Sequence, residues 1–312
     1  MNQLNLEGVV TAVVTPFHED ESLDLESLRS YVKYVLDVPG VNGILTCGYS
    51  GEVTSLNRDE ELRVVGAVAE AVNGRVPILA GVEPTSTKDT IEFGKQLRDA
   101  GATVLQINTP FYNILRRGFI HNEDVVVKFF SDLAEGLDMP MTVFQYPVSS
   151  GVNYPASTIG RLAEIDQVIG IKEATSMETY EADYKAVRGK TAVFADNNTY
   201  TLFGMMQYGT QGSMVGIGNV GVPLWAELYR LVSTGDNTAA AIHMNSKIVP
   251  LINTFSRDLG QTKFSFIARV KEALVQMGHI PNGTTRAPEP AVTQADKEEV
   301  HSTLVEVGLL TK

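Results

Sequence analysis

Lys172 closes a short run of apolar residues, Val168–Ile171, that are mostly β-branched. Such a run is typical of a strand buried on both faces, which would leave the lysine amine poorly hydrated. Burial disfavours the ammonium form and moves its pKa from about 10.4 toward the neutral range. A neutral amine is a nucleophile suited to a carbonyl carbon. The alternative is a structural ion pair with Glu173 or another carboxylate, and the position alone leaves both open.

A glycine-rich segment, Gly48–Glu52, follows another apolar run. Its two glycines flank Tyr49 and Ser50, and glycines there let backbone N–H groups approach a small carboxylate. An ordinary glycine-rich turn is the alternative interpretation. The segment is not a G-x-S-x-G nucleophile elbow, because Glu52 occupies the place of the second glycine.

Two other kinds of site are weakly indicated. The segment Gly216–Gly221 matches the letters G-x-G-x-x-G, but no strand follows it to complete a βαβ unit. We therefore favour a loop that closes over a small ligand rather than a dinucleotide site. The five histidines are scattered, without H-E-x-x-H spacing, and we expect no metal site and no cofactor. They are His18, His121, His243, His279 and His301.

The elements that must position these residues alternate between short apolar runs and amphipathic stretches. The predicted strands are Val9–Thr15, Gly43–Thr46, Pro77–Ala80, Thr103–Asn108, Met141–Phe144, Val168–Lys172, Thr191–Ala195 and Gly212–Gly216. The predicted helices between them are Leu25–Leu36, Arg58–Val72, Thr87–Ala100, Val125–Leu133 and Thr158–Glu164. Leu25, Leu28, Val32 and Leu36 illustrate the helical spacing.

Eight strands interleaved with helices over about 220 residues favour an α/β fold of the (β/α)8 TIM-barrel type, with an open doubly wound sheet as the alternative. From Pro223 onward helical patterns dominate. We predict a barrel with the reactive site over residues 1–222, and a barrel-capping helix with a C-terminal helical region over residues 223–312.

The net charge, the cysteine count and the apolar runs of the sequence limit the kinds of partner that we expect. The chain has 312 residues and a formal net charge of −12, which argues against nucleic-acid binding because that needs a clustered basic face. Cys47 is the only cysteine, so no intrachain disulfide is expected and a reducing compartment is the default. No signal core or membrane-spanning apolar run is evident. We expect a cytoplasmic protein without membrane partners.

In a barrel, reactive groups belong at the carboxyl ends of the strands, where Lys172 and the Gly48–Glu52 turn would meet. Four motifs in such positions also resemble, in order and spacing, the dihydrodipicolinate synthase / N-acetylneuraminate lyase family of class I Schiff-base aldolase barrels. They are Thr15-Pro16-Phe17, then Gly48-x-x-Gly51-Glu52 with Ser55-Leu56-Asn57-x-Asp59-Glu60, then Thr109-Pro110-Phe111-Tyr112-Asn113, and Ile169-Gly170-Ile171-Lys172-Glu173-Ala174-Thr175. The resemblance covers nearly the whole chain.

The resemblance implies that Lys172 forms the imine with the substrate and that no other cofactor is needed. It implies that the turn at Tyr49, Ser50 and Gly51 holds the substrate carboxylate through N–H groups and the Ser50 hydroxyl. Tyr112 would lie on a loop that reaches a neighbouring subunit's site, and a homotetramer is the implied assembly.

On the eighth strand, the resemblance places the Met214 backbone carbonyl near the bound keto acid, in the loop that includes Gly216. Other residues expected to line the pocket are Glu83, Gln145, Tyr146 and Asn197, although each is equally explained as supporting structure.

The chain departs from the family pattern at three positions. Phe144 stands where the synthase and the lyase carry a tyrosine whose phenol relays protons. Tyr49 stands where a threonine or serine is usual, and Ser149 where the synthase has an arginine for its second substrate. We hypothesise that the phenol has moved to Tyr49, with Tyr146 as the alternative donor because it lies on the same strand face as Phe144.

These patterns lead us to expect a Schiff-base lyase or aldolase that acts on pyruvate or another small 2-oxo acid. Genuine 4-hydroxy-tetrahydrodipicolinate synthesis is one alternative. A catalytically silent relative that only binds a keto acid is the other, and the absence of the tyrosine at Phe144 is its best support. A retained lysine at Lys172 argues against a silent protein.

Overall fold

The computed structural model describes residues 4, 6–111, 115–147, 151–187, 189–196, 211–256 and 265–311. Within these ranges eight parallel strands follow one another around a closed barrel, and β1 pairs with β8 to complete the ring. The strands are β1 (Gly8–Ala12), β2 (Val41–Thr46), β3 (Ile78–Val82), β4 (Val104–Ile107), β5 (Met141–Gln145), β6 (Val168–Glu173), β7 (Ala192–Ala195) and β8 (Gly212–Val215). The predicted TIM barrel is therefore confirmed, and the open sheet is excluded.

Helices cover the outside of the barrel. The strands β1 to β6 are each followed by one helix: α1 (Leu25–Leu36), α2 (Arg58–Val72), α3 (Thr87–Asp99), α4 (Glu123–Leu137), α5 (Ala156–Leu162) and α6 (Met177–Val187). After β8 the chain continues as α7 (Val222–Ser233), α8 (Asn237–His243), a π-helical turn (Met244–Ile248), α9 (Val249–Phe255), α10 (Phe266–Gln276) and α11 (Gln294–Val307).

Local signals fix where the helices begin. Asp24 caps α1 by accepting from the backbone N–H of Ser27 at 3.0 Å. Asn57 and Glu60 form a reciprocal capping box at the start of α2. Sequence periodicity gives the bounds of α1 and α2 correctly, but α6 was not predicted.

Side chains alternate between the barrel interior and the surrounding helices along each strand. The interior holds a small separate apolar cluster that includes Val10, Leu45, Leu79, Phe194 and Met214. A much larger core lies between the strands and the helices. Because the strands are covered on both faces, their sequences read as continuous apolar runs rather than alternating ones.

The C-terminal helical region is fastened to the barrel mouth by a buried ion pair. Lys271 of α10 is fully buried and contacts the carboxylate of Glu52, which follows β2. The Lys271 amine also donates to the Thr284 carbonyl at 2.8 Å, and the Arg286 backbone N–H donates to Glu52 at 3.3 Å. The Lys271 amine and the Arg286 guanidinium both lie over the Phe17 ring.

The division of the chain at residues 222 and 223 remains a prediction.

None of the helices in the described ranges combines the length and the apolarity needed to span a bilayer.

Candidate active site

Lys172 lies in β6 with its side chain inside the barrel mouth, between two aromatic residues. The strand register pairs it with Phe144 of β5 and Phe194 of β7. The residue is 5% exposed, and its amine nitrogen lies 4.1 Å from the centroid of the Phe144 ring. The expected placement of a lysine amine in an apolar barrel mouth is present in the structure.

A carboxylate also lies beside this amine. Asp196, directly after β7, has an oxygen 3.6 Å from the Lys172 amine nitrogen, and both side chains are buried. Burial lowers the pKa of Lys172, whereas the negative charge of Asp196 and its hydrogen bond raise it, and the net direction is downward. The alternative considered from sequence, an ion pair with a carboxylate other than Glu173, is therefore present, although burial still lowers the pKa of the amine.

Glu173, the ion-pair partner considered from sequence, faces the opposite side of the strand. It is fully buried beside Asp183 of α6, and Thr175 donates to its carboxyl at 2.9 Å. The Gln145 amide donates to Asp183 at 2.6 Å and accepts from the Tyr154 backbone at 2.7 Å. Because both ends of that amide are engaged there, Gln145 belongs to this outer network and does not line the pocket.

The Gly48–Glu52 segment forms a single 3-10 turn, Tyr49–Gly51, above the end of β2. The first N–H groups of such a turn have no partner within it, so they can donate hydrogen bonds to an anion. The Gly51 carbonyl accepts from the Thr15 hydroxyl at 2.7 Å, which fixes the turn to the end of β1. The Gly51 N–H donates to the Gly48 carbonyl at 2.9 Å, so the geometry fits the expected carboxylate-binding role for Ser50 but not for the Gly51 N–H.

The turn and the end of β8 face each other at close range. A Cβ atom at Gly216 would lie 2.1 Å from the Ser50 hydroxyl oxygen, so only glycine leaves room for that hydroxyl. Met214, two residues earlier, is fully buried in the barrel interior and pairs in register with Val10. The structure thus brings Ser50, Gly216 and Met214 to the same side of the mouth.

Three aromatic rings cover the mouth next to the lysine. Phe144 and Tyr146 are stacked with centroids 5.2 Å apart, and the Tyr49 ring lies 6.1 Å from Phe144 and 5.7 Å from Tyr146. Burial raises the pKa of Tyr146, and the nearby charge of Asp196 raises it further. Tyr146 therefore lies within electrostatic range of the carboxylate that contacts the lysine.

The hydroxyl of Tyr49 points to a different group. It donates to the carboxylate of Glu83, which follows β3 and also accepts from the side-chain amide of Asn108. Burial raises the pKa of Glu83, whereas these two hydrogen bonds lower it. Asn108 is 3% exposed. Glu83 and Asn108 form a polar group at the mouth on the β3–β4 side, opposite β7 and β8 in the strand order.

Some predicted residues cannot be placed. Tyr112, Ser149 and Asn197 lie outside the described residues. Among the residues that are described, no cluster of three or more histidine, cysteine, aspartate or glutamate side chains could hold a metal ion. The sequence assigned no role to Asp196, although it stands at the carboxyl end of a predicted strand and contacts the Lys172 amine.

Comparison with known proteins identifies the family. The family model described as the dihydrodipicolinate synthetase family matches residues 5–307 of the chain. The chain belongs to the dihydrodipicolinate synthetase family. The 4-hydroxy-tetrahydrodipicolinate synthase of Bradyrhizobium diazoefficiens is 29% identical to this family member over 303 residues, which are 97% of each chain.

Solved structures of the dihydrodipicolinate synthetase family show the same architecture. A monomeric dihydrodipicolinate synthase variant matches with a TM-score of 0.88 at 27% identity, over 99% of this chain and 100% of the other. The chloride-inhibited dihydrodipicolinate synthase of Acinetobacter baumannii, complexed with pyruvate, matches with a TM-score of 0.85 at 27% identity, over 98% and 100%. The family predicted from the four sequence motifs is confirmed.

Proposed function

We propose that this protein is a Schiff-base-forming lyase or aldolase that acts on pyruvate or another small 2-oxo acid, with the imine on Lys172. The observation that carries the proposal is the buried amine of Lys172 at the barrel mouth, where burial lowers its pKa. Membership of the dihydrodipicolinate synthetase family supports it. The Acinetobacter baumannii relative was solved in complex with pyruvate, which supports pyruvate as a substrate of the proposed reaction.

In the proposed site, two parts of the barrel mouth bind two different groups of the substrate. The start of the turn, at Ser50, binds the carboxylate beside Gly216. The adjacent ketone then faces Lys172, whose neutral amine attacks the carbonyl carbon, and water leaves. The resulting protonated imine withdraws electrons from the next carbon, so a bond at that carbon forms or breaks without a metal or an organic cofactor.

The reaction that follows imine formation depends on the side chains that line the rest of the pocket. Aldol addition or cleavage, dehydration and deamination are all compatible with an electron-withdrawing imine. The second candidate is genuine 4-hydroxy-tetrahydrodipicolinate synthase, which the Bradyrhizobium diazoefficiens relative favours by name. Phe144 and Ser149 count against it, because the phenol and the arginine expected of a synthase are replaced. An assay for 4-hydroxy-tetrahydrodipicolinate, run beside a panel of 2-oxo acids, separates the candidates.

Borohydride trapping tests the imine directly. The protein is incubated with pyruvate, reduced, and analysed by intact mass and peptide mapping. We expect one reduced pyruvyl group on the peptide that contains Lys172. Lys271 is an internal control, since it is also buried but its amine contacts the Glu52 carboxylate. Labelling at Lys271, or equal labelling of a Lys172→Met variant, would contradict the assignment.

The same experiment addresses the silent alternative. A protein that only binds a keto acid gives no covalent adduct with any member of the 2-oxo acid panel. That outcome would reject the proposed enzyme and leave only the barrel and a carboxylate-binding turn.

We also propose that the protein is a cytoplasmic homotetramer and that Tyr112 contributes to a neighbouring subunit's site. Family resemblance supports this assembly, although one similar structure is a monomeric dihydrodipicolinate synthase variant. Light scattering coupled to gel filtration measures the mass in solution, and a Tyr112→Phe variant tests the role of that side chain.

A further inference from the structure

We propose that Asp196 is the acid–base group that serves imine formation at Lys172, in the place of the phenol that Phe144 lacks. The inference rests on the proposed function, because it needs an imine to form. It adds a catalytic residue that neither the sequence motifs nor the family resemblance assigned.

The position of Asp196 is fixed by the barrel. Its backbone N–H donates to the Glu173 carbonyl at 3.0 Å, which extends the β6–β7 pairing by one residue. By strand alternation its side chain points inward, like that of Phe194 two residues earlier. The carboxylate oxygen lies 3.6 Å from the Lys172 amine nitrogen, and the side chains are 8% and 6% exposed. The carboxylate therefore lies beside the atom that must react.

Imine formation needs a group that both takes and returns a proton. When the pair holds an ammonium on Lys172 and a carboxylate on Asp196, transfer of one proton gives a neutral amine and a neutral acid. The amine forms a bond to the ketone carbon, and a proton moves from nitrogen to the former carbonyl oxygen. Asp196 then gives its proton to that hydroxyl, the carbon–oxygen bond breaks, and water leaves. The product is a protonated imine beside a carboxylate, so charge and protons balance.

Other groups near the lysine are less suited to this role, including Tyr146, because burial and the charge of Asp196 both raise the pKa of its phenol. Phe144 has no exchangeable proton, although it is the side chain over which the amine lies. The Tyr49 hydroxyl donates to Glu83 rather than toward β6. Glu173 faces the outer side of its strand. Asp196 is the carboxylate recorded in contact with the Lys172 amine among the described residues.

A purely electrostatic role for Asp196 predicts the opposite result. If Asp196 only stabilises the ammonium of Lys172, its removal leaves burial unopposed and makes the amine more often neutral. Nucleophilic attack at neutral pH would then become faster. If Asp196 moves protons, its removal makes attack and water loss slower. The sign of the change in rate therefore decides between the two roles.

The test compares the full-length protein with an Asp196→Asn variant. Each is mixed with pyruvate, portions are quenched with borohydride at successive times, and the fraction labelled at Lys172 is followed by mass spectrometry across neutral and alkaline pH. We expect the variant to reach labelling more slowly by roughly 10²–10⁴-fold at neutral pH, the usual range for acid–base catalysis.

Asp183→Asn is the matched control, because it makes the same replacement at a buried aspartate on the outer side of the barrel, and it should label at close to the wild-type rate. Circular dichroism verifies that each variant is folded, and Asp196→Ser serves as a second neutral variant if the asparagine does not fold. An unchanged or faster rate in a folded Asp196 variant overturns the proposal. Absence of labelling in the wild type instead overturns the proposed function itself.

Discussion

Replacing Asp183 with asparagine should make the stability of the protein less sensitive to rising pH. Asp183 and Glu173 are both fully buried and lie against each other between β6 and α6. Burial raises the pKa of Asp183 to about 6 and that of Glu173 well above its ordinary value, and the two carboxyls interact directly. Glu173 Oε1 and Asp183 Oδ1 have no other hydrogen-bond partner among the described residues, so one proton between them satisfies both.

The sign and size of the effect follow from these pKa values. The folded state keeps protons that the unfolded chain releases near pH 4, so stability is fully present below that pH and is lost as the pH rises through the folded pKa. For Asp183 the pKa rises from 3.8 to about 6, which corresponds to about 3 kcal/mol lost by neutral pH. Glu173 adds to the loss in the same direction at higher pH.

The asparagine variant keeps the local hydrogen bonds without the second charge. Its amide oxygen accepts from Gln145, and its amide N–H donates to the Glu173 carboxylate, which favours the ionised form of that group. We therefore expect the unfolding free energy of the wild type, relative to the variant, to fall by about 3 kcal/mol between about pH 4 and about pH 8.

Urea unfolding at fixed protein concentration measures this difference at several pH values. An Asp99→Asn variant is the control, because the Asp99 side chain is 72% exposed and its replacement should leave the pH dependence unchanged. A constant difference between wild type and Asp183→Asn across the pH range would refute the shared proton.

Two further predictions concern the site. Gly216→Ala places a methyl group where the Ser50 hydroxyl lies, so KM for the 2-oxo acid should rise about tenfold or more while the fold is retained. Gly66→Ala in α2 meets open space and is the control in the same kinetic assay; equal KM values for both variants would count against the carboxylate turn. Tyr146→Phe removes the hydroxyl near Asp196 and should slow borohydride trapping by roughly tenfold, whereas Tyr49→Phe should slow it less. If neither slows trapping, the relocated-phenol hypothesis fails.

The barrel was predictable from sequence because each of its strands is a short apolar run. All eight predicted runs are strands, since a strand buried on both faces requires an apolar sequence and turn residues bound it. The helix α6 was missed because Asp183 lies buried in it, next to the helical apolar positions Tyr180 and Val187. A polar residue at a core position hides an amphipathic pattern.

The site was predictable only in part. The place of Lys172 at the end of an apolar strand indicated both its burial and its lowered pKa. Its partner was not identifiable, because Asp196 is 24 positions away along the chain and only the pairing of β6 with β7 brings it near. The hydrogen bond from Tyr49 to Glu83 likewise depends on side-chain direction at the barrel mouth, which strand spacing does not determine.

The contact between Glu52 and Lys271 has a consequence for how this protein is made. The turn that would receive the substrate follows β2, yet one of its two anchors belongs to α10, far downstream. On the ribosome, the early strands emerge long before that lysine is synthesised. A growing chain therefore has its early strands before it has the lysine that holds Glu52, and the turn gains this second anchor only after α10 has been synthesised.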